Sequence, residues 1–323
     1  MPENSSQDPA IVAEELVKVY PGRGRRPAVR AVDGLGFTVP AGRVFGLLGP
    51  NGAGKSTTTK ILTTLSRPTA GSARVAGHDV GRRPDAVRSA IGYVSQGAST
   101  DPFLTATENL EVVARMRGVS SSDARSRAAR LLEEFGLADA SRRPVNTFSG
   151  GMRRRLDVAA ALVHRPQVLF LDEPTTGLDP EARAVMWAEI RRLSAQEALT
   201  VILTTHYMEE ADRLADELLI VNRGRAVVQG TPDALKAALH GDSLRVTLVE
   251  PDAARVRIAV GTVPGLRDIV VEAAGVDGVL AARTDDASAA VGAVISALDA
   301  AGIRYGQVAA SHPTLDDVYL HFV

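Results

Sequence analysis

The stretch Gly49-Pro50-Asn51-Gly52-Ala53-Gly54-Lys55-Ser56 decides the fold, because its spacing of glycines, lysine and serine is that of a phosphate-binding loop. It follows the segment Arg43 to Leu48, which we predict to be a strand, and it opens a helix that we expect to end near Ser66. Glycines let backbone N–H groups surround an anion, and the helix adds the positive end of its dipole. The stretch therefore predicts a site for nucleotide phosphates, in which Lys55 reaches the β- and γ-phosphates and Ser56 binds Mg²⁺.

A second segment supplies acidic side chains for a site of this kind. Val168 to Leu171 is a run of four apolar residues, typical of a buried strand, and Asp172 and Glu173 follow it. We expect the Asp172 carboxylate to hold Mg²⁺ through water and Glu173 to act as general base for an attacking water. Alone, a strand that ends in two acids is more often only a polar strand end. Together with the phosphate loop, the pair predicts nucleotide hydrolysis.

A third motif, Ser149-Gly150-Gly151, opens a helix that we predict to extend from Met152 to about Leu162. A serine–glycine turn at a helix N-terminus is another anion site. The chain thus has two phosphate-facing surfaces, more than one bound nucleotide needs. This favours a sandwich in which each chain offers the turn to the nucleotide held by a second copy. The run Arg153-Arg154-Arg155 is expected to be a solvated face of the helix.

The order of the predicted elements indicates an α/β fold. Strands alternate with helices from Ile11 onward, which predicts a mostly parallel sheet. Residues 97–162 show helical periodicity and are expected to form an inserted helical subdomain. After His240 the pattern restarts in the order βαββαβ, which predicts a small α+β ferredoxin-like domain. We therefore expect a nucleotide-binding domain over residues 1–239 and a C-terminal accessory or regulatory domain over residues 240–323.

Composition limits the partners. The 323 residues include 37 Lys and Arg and 38 Asp and Glu, a net charge of -1, so no basic excess exists and we expect no nucleic-acid partner. The absence of cysteine excludes disulfides and thiolate metal sites. The first ten residues lack the features of a signal peptide, and no apolar stretch approaches the roughly 18–20 residues of a membrane helix. Any membrane role would therefore depend on a separate partner.

In these motifs and in their order over about Ile11 to Leu235, the chain resembles the ATP-binding subunits of ABC transporters. The resemblance implies a P-loop, RecA-like core with an antiparallel β subdomain. It also implies ATP and Mg²⁺ as cofactors, ATP hydrolysis, and a dimer of two cassettes that closes on two Mg-ATP. The nucleotide-binding set that it implies consists of Tyr20, Gly49, Pro50, Asn51, Gly52, Ala53, Gly54, Lys55, Ser56, Thr57, Ser149, Gly150, Gly151 and Asp179.

The resemblance gives roles to residues that the pattern alone leaves open. It implies that Tyr20 stacks on adenine and that Gln96 senses both Mg²⁺ and the membrane subunit. It implies that Gly177-Leu178-Asp179 crosses the dimer interface, and that His206 is a switch histidine that contacts the γ-phosphate or Glu173. Without the family, Tyr20 would more often be a core or turn residue. Gln96 would be an ordinary polar strand end, and His206 a structural histidine.

A finer resemblance covers the whole chain. The run from Ser149 to Asp157, the run from Pro174 to Pro180 and the ending Pro313 to Val318 are similar to the daunorubicin/doxorubicin resistance branch of bacterial ABC-2 exporters. This implies export of a drug, antibiotic or lipid-like compound through a separate permease, at the cytoplasmic face of the cell membrane. One alternative is a soluble ABC ATPase that acts on ribosomes or DNA, although the chain lacks the second cassette or long coiled coil typical of these. Another is a resistance or sensing switch that transports nothing.

Overall fold

The structure is a computed structural model and describes residues 8–22, 27–97, 99–197, 199–239, 241–274 and 277–323. The chain forms two compact units, Met1–Gln229 and Gly230–Val323. No helix within the described ranges is long and apolar enough to cross a membrane.

The first unit alternates strands with helices, as its sequence pattern predicts. Its strands are β1 (Ile11–Tyr20), β2 (Val29–Val39), β3 (Val44–Leu48), β4 (Ala70–Val75), β5 (His78–Asp79), β6 (Ile91–Val94), β7 (Val168–Asp172), β8 (Thr200–Thr205), β9 (Glu217–Asn222) and β10 (Arg225–Gly230). Its helices are α1 (Lys55–Leu62), α2 (Pro84–Ala90), α3 (Ala106–Met116), α4 (Ser121–Glu134), α5 (Gly150–Leu162), α6 (Pro180–Glu197) and α7 (Met208–Leu214).

A six-stranded sheet in the order β10-β9-β3-β8-β7-β6 forms the centre of this unit. Neighbouring strands from β9 to β6 are parallel. Every residue of β3, β7 and β8 is buried, because the sheet is covered on both faces. Parallel strands end at the same edge, so the sheet places the loop after β3 beside the carboxyl ends of β7 and β8.

A second sheet of the first unit is antiparallel, with the order β2-β1-β4-β5. Its inner side chains, Leu16 and Val75 among them, share one buried cluster with Phe45 of the central sheet and Ile61 of α1. This packing fixes α1, and therefore the loop that precedes it, between the two sheets.

Helices α3, α4 and α5 lie between β6 and β7 in the chain and share one apolar cluster. A capping box fixes the start of α3. The Glu108 N–H donates a hydrogen bond to the Thr105 side chain, and the Thr105 N–H donates one to the Glu108 side chain. The cluster includes Leu110 of α3, Leu131 of α4 and Leu156 of α5, so all three helices contribute to one core. The start of α5 is thereby tied to a packed helical layer.

The second unit contains the predicted βαββαβ order between two further helices. Its elements are α8 (Pro232–Ala237), β11 (Asp242–Val249), α9 (Ala253–Val260), β12 (Leu266–Ala274), β13 (Asp277–Thr284), α10 (Ala287–Ala300), β14 (Tyr305–Ser311) and α11 (Leu315–Phe322). The sheet has the order β12-β13-β11-β14 and is antiparallel throughout, which is a ferredoxin-like arrangement. Leu244, Val246 and Leu248 of β11 share one buried cluster with Val256 of α9 and Val294 of α10. This unit therefore has a core of its own.

The boundary between the units differs from the predicted one. The sequence pattern places it between residues 239 and 240, whereas the compact units divide between Gln229 and Gly230. Helix α8 belongs to the second unit because it packs against α11. The Arg283 guanidinium also donates hydrogen bonds to the Leu239 and Gly241 carbonyls, which ties the end of this segment to β13. His240 itself lies outside the described residues.

Candidate active site

The phosphate loop joins β3 to α1, and two of its glycines are required by close backbone approaches. A Cβ atom on Gly49 would lie 2.2 Å from the Val221 carbonyl oxygen, and one on Gly54 would lie 2.5 Å from that of Ala31. Gly54 also has a φ of 108°, in the left-handed region that favours glycine. Because Gly54 has no side chain, it leaves the N–H groups at the start of α1 without a side-chain cap.

The Lys55 ammonium lies inside the loop. Its side chain is buried, and Nζ donates hydrogen bonds to the Gly49 carbonyl at 2.6 Å and to the Pro50 carbonyl at 3.0 Å. Burial lowers the pKa of Lys55, and the nearby carboxylates of Glu173 and Asp172 oppose that shift. The loop thus holds a compact positive charge against its own backbone, beside two acids.

Asp172 connects the phosphate loop to the central sheet. Its Oδ1 accepts hydrogen bonds from Ser56 Oγ at 3.3 Å and from Thr204 Oγ1 at 2.5 Å. The two predicted Mg²⁺ ligands, Ser56 and Asp172, are therefore brought together from α1 and β7. Hydroxyl and carboxylate oxygens suit Mg²⁺, and the described residues offer no cluster of three His, Cys, Asp or Glu. A cation here would complete its shell with phosphate and water oxygens, as Mg²⁺ usually does.

Glu173 occupies an unusual backbone position at the end of β7. Its φ is 47°, and its N–H donates to both the carbonyl and the Oγ1 of Thr204, at 3.1 Å and 3.2 Å. Its Oε2 accepts a hydrogen bond from Thr176 Oγ1 at 3.2 Å. His206 Nδ1 lies 3.3 Å from Oε1 but is not aligned for a hydrogen bond. The structure therefore places the predicted general base next to the predicted switch histidine.

The Ser149 turn begins α5 and is exposed. Ser149 Oγ accepts a hydrogen bond from the Met152 N–H at 3.2 Å, which makes it the N-cap of the helix. A Cβ atom on Gly151 would lie 2.9 Å from the Ala182 Cβ of α6. Asp179 Oδ1 accepts from the Ala182 N–H at 2.8 Å. The Ser149 turn and the Asp179 loop are therefore neighbours on the surface.

Two predicted site residues lie apart from these contacts. Tyr20 is at the end of β1 with 38% of its surface exposed, and Lys18 Nζ lies 5.1 Å from the centre of its ring. Gln96 follows β6 and is also exposed. The adenine-stacking role of Tyr20 and the sensing role of Gln96 stay predictions.

The expectation of a solvated face at Arg153-Arg154-Arg155 is wrong for its middle member. Arg153 is exposed, but Arg154 is buried, and Arg155 donates to the Phe135 carbonyl at 2.9 Å. The reason is that α5 is buried along most of its length, including every residue from Leu156 to Leu162. The sequence of three arginines alone does not indicate that the middle one is buried.

Sequence reasoning also missed residues that hold the acidic pair. Thr204 contacts both Asp172 and Glu173, and its place at the end of an apolar strand was the only available signal. Glu210 is buried and its Oε1 accepts from Thr175 Oγ1 at 2.7 Å and from Trp187 Nε1 at 3.1 Å. It thereby ties the segment after Glu173 to α6 and α7. Partners so far apart in the chain leave no local pattern.

Comparisons with known proteins agree with this geometry. The family model described as ABC transporter matches residues 32–176. The daunorubicin resistance ATP-binding protein DrrA3 of Streptomyces coeruleorubidus is 46% identical over 314 residues, which cover 97% of this chain and 96% of that protein. The daunorubicin/doxorubicin resistance ATP-binding protein DrrA of Streptomyces peucetius is 52% identical over 245 residues, covering 76% and 72%. The solved dimeric structure of a bacterial ABC transporter cassette aligns with a TM-score of 0.62 and 25% identity, over 68% of this chain and 98% of that one.

Proposed function

Because the chain belongs to the ABC transporter family as an ATP-binding ATPase subunit, we propose that it drives a separate membrane permease which exports a drug, an antibiotic or a lipid-like compound. The observation that carries the ATPase part is the contact of Ser56 with Asp172, beside Glu173 and the buried Lys55. These groups come from the start of α1 and the end of β7, and they converge at one edge of the sheet, where a nucleotide's phosphates would bind.

The phosphate loop binds and orients the nucleotide in this proposal. Lys55 supplies a positive charge to the β- and γ-phosphates, and the N–H groups at the start of α1 face the same anion. Ser56 and Asp172 would hold Mg²⁺, which would supply positive charge to neutralise the phosphate oxygens.

Glu173 accepts the proton in the hydrolytic step. As the water oxygen attacks the γ-phosphorus, the Glu173 carboxylate takes a proton from that water, and the bond from the γ-phosphorus to the β–γ bridging oxygen breaks. ADP and phosphate leave. His206 Nδ1 lies 3.3 Å from Glu173 Oε1. We assign His206 the role of a switch that contacts this carboxylate or the γ-phosphate.

Two copies of the chain form the working unit in this proposal. The Ser149 turn is an exposed helix N-terminus that its own phosphate loop does not need, so it is offered to the nucleotide of the partner. Asp179 lies beside this turn and would cross the same interface, while Tyr20 stacks on the adenine and Gln96 senses Mg²⁺ and the permease. The dimeric cassette among the solved relatives supports the arrangement.

The names of two relatives refer to daunorubicin and doxorubicin resistance, which supports a drug-like compound as the substrate. We place the chain at the cytoplasmic face of the membrane, where it would be held by the permease. The rival of a soluble ABC ATPase acting on nucleic acid is disfavoured by the net charge of -1. The second unit has its own core and is assigned an accessory or regulatory role.

This function can be tested in inside-out membrane vesicles that contain both this chain and its membrane permease. We expect Mg-ATP to drive accumulation of daunorubicin, and we expect Glu173→Gln to abolish it. Wild-type vesicles that hydrolyse ATP but never accumulate the drug would contradict the proposed substrate class. Wild-type vesicles that do not hydrolyse ATP would contradict the ATPase itself.

A further inference from the structure

The buried side chain of Arg154 donates hydrogen bonds to four backbone carbonyl groups. It is 8% exposed, and its guanidinium donates to carbonyl oxygens of two separate segments. Nη1 donates to Ser95 at 2.6 Å, and Nε donates to Pro174 at 2.9 Å. Nη2 donates to Asp172 at 3.0 Å and to Glu173 at 3.3 Å. A planar guanidinium with donors in a fixed fork suits such a set, because all its contacts move together.

The segments that Arg154 joins are those that carry the chemistry. Ser95 directly precedes Gln96, and the other carbonyls belong to the acidic pair or to the residue that follows it. Arg154 itself lies in α5, just over one turn after the exposed Ser149 cap. One buried side chain therefore links the helix that begins at the Ser149 turn to the residues proposed to sense Mg²⁺ and to activate water.

We propose that Arg154 is a positioning residue that couples the Ser149 turn to Glu173 and Gln96, so that a nucleotide bound at the turn by the partner chain aligns the catalytic carboxylate. This inference rests on the proposed function. Arg154 touches no reacting atom, and its effect passes through the backbone at Asp172 and Glu173.

The test compares Arg154→Gln and Arg154→Lys with Arg153→Gln in the full chain. Arg153 is the matched control, because it is exposed and its guanidinium makes only a long contact, 3.4 Å, with the Asn146 carbonyl among the described residues. We expect Arg154→Gln to lower kcat about 10- to 100-fold, the usual effect of removing a group that orients active-site ligands. The KM for Mg-ATP should stay within about threefold, because the phosphate loop is intact. Arg154→Lys should recover part of the loss, since an ammonium keeps the charge but not the fork.

Thermal unfolding separates coupling from a merely structural role. A variant that melts earlier but keeps wild-type kcat per folded molecule would overturn the proposal, and so would an equal loss in Arg153→Gln. If Arg154→Gln does not fold, kcat per folded molecule is measured for Arg154→Lys instead, and a wild-type value would overturn the proposal. A wild-type chain without turnover would overturn the proposed function together with this inference, whereas normal turnover in both Arg154 variants would overturn this inference alone.

Discussion

The neighbouring carboxylates of Asp172 and Glu173 are held by different partners, which agrees with the different tasks that we propose for them. Asp172 is bound to hydroxyls of Ser56 and Thr204, which suits a cation ligand. Glu173 accepts a hydrogen bond from Thr176 Oγ1 and lies beside His206, which suits the role of general base proposed for it. One hydroxyl links the two, since Thr204 Oγ1 donates to Asp172 and accepts from the Glu173 N–H.

Replacing Thr204 by valine should therefore affect both acids at once. We expect Thr204→Val to lower the free energy of unfolding by about 1–3 kcal/mol, because buried polar groups lose a partner. Turnover should fall roughly tenfold or more, as the carboxylates lose their orientation. Thr200→Val is the control at the other end of β8, where the hydroxyl accepts from the Gly42 N–H at 2.9 Å. Chemical denaturation and ATPase assays should show a similar stability loss in both but reduced turnover only in Thr204→Val; equal turnover would contradict the role of Thr204.

At the scale of elements, α5 combines a buried body with an exposed first turn. Its body packs in the helical layer, and its N-cap Ser149 faces outward with a hydroxyl that already binds the Met152 N–H. In the proposed sandwich, the same turn both begins the helix and meets the partner's phosphate. A substitution that preserves capping but changes charge separates these two tasks.

Ser149→Asp provides that separation. Aspartate is as good an N-cap as serine, so the free energy of unfolding should change by less than about 0.5 kcal/mol. Its negative charge should repel the partner's γ-phosphate and lower turnover by about 100-fold or more. Nucleotide binding to the isolated chain should be unchanged.

Ser120→Asp is the control for Ser149→Asp, because Ser120 caps α4 in the same way. It should leave both stability and turnover unchanged. Titration with a fluorescent ATP analogue, beside ATPase assays, checks both variants. Loss of nucleotide binding in the isolated Ser149→Asp chain would show that the turn serves its own phosphate loop, against the sandwich.

Local patterns predicted the elements and motifs, but not the contacts between them. The glycine spacing of the phosphate loop and the apolar run before Asp172 are visible in the sequence because each depends on neighbouring residues. The burial of Arg154 and the bridging hydroxyl of Thr204 depend on partners that lie between 18 and 59 residues away in the chain. The compact units divide before the predicted domain boundary for the same reason, since α8 packs against α11, which lies near the end of the chain.

At the scale of the whole molecule, each of the two units has its own buried core, and the chemistry lies in the first. The first unit presents a phosphate loop and, separately, the exposed Ser149 turn beside the Asp179 loop. In the proposed sandwich, a single chain uses only the phosphate loop for its own nucleotide. Hydrolysis would then require a second copy of the chain.

The mass of the Glu173→Gln chain with Mg-ATP, measured by light scattering beside its ATPase rate, tests this claim most directly. If Glu173 is the general base of a sandwiched site, turnover should fall by about 10²- to 10⁴-fold while ATP still binds. A dimer of twice the 34.0 kDa chain mass should then accumulate, because hydrolysis no longer reopens it. A Glu173→Gln chain that binds Mg-ATP but stays at 34.0 kDa, or that turns over at the wild-type rate, would contradict the account.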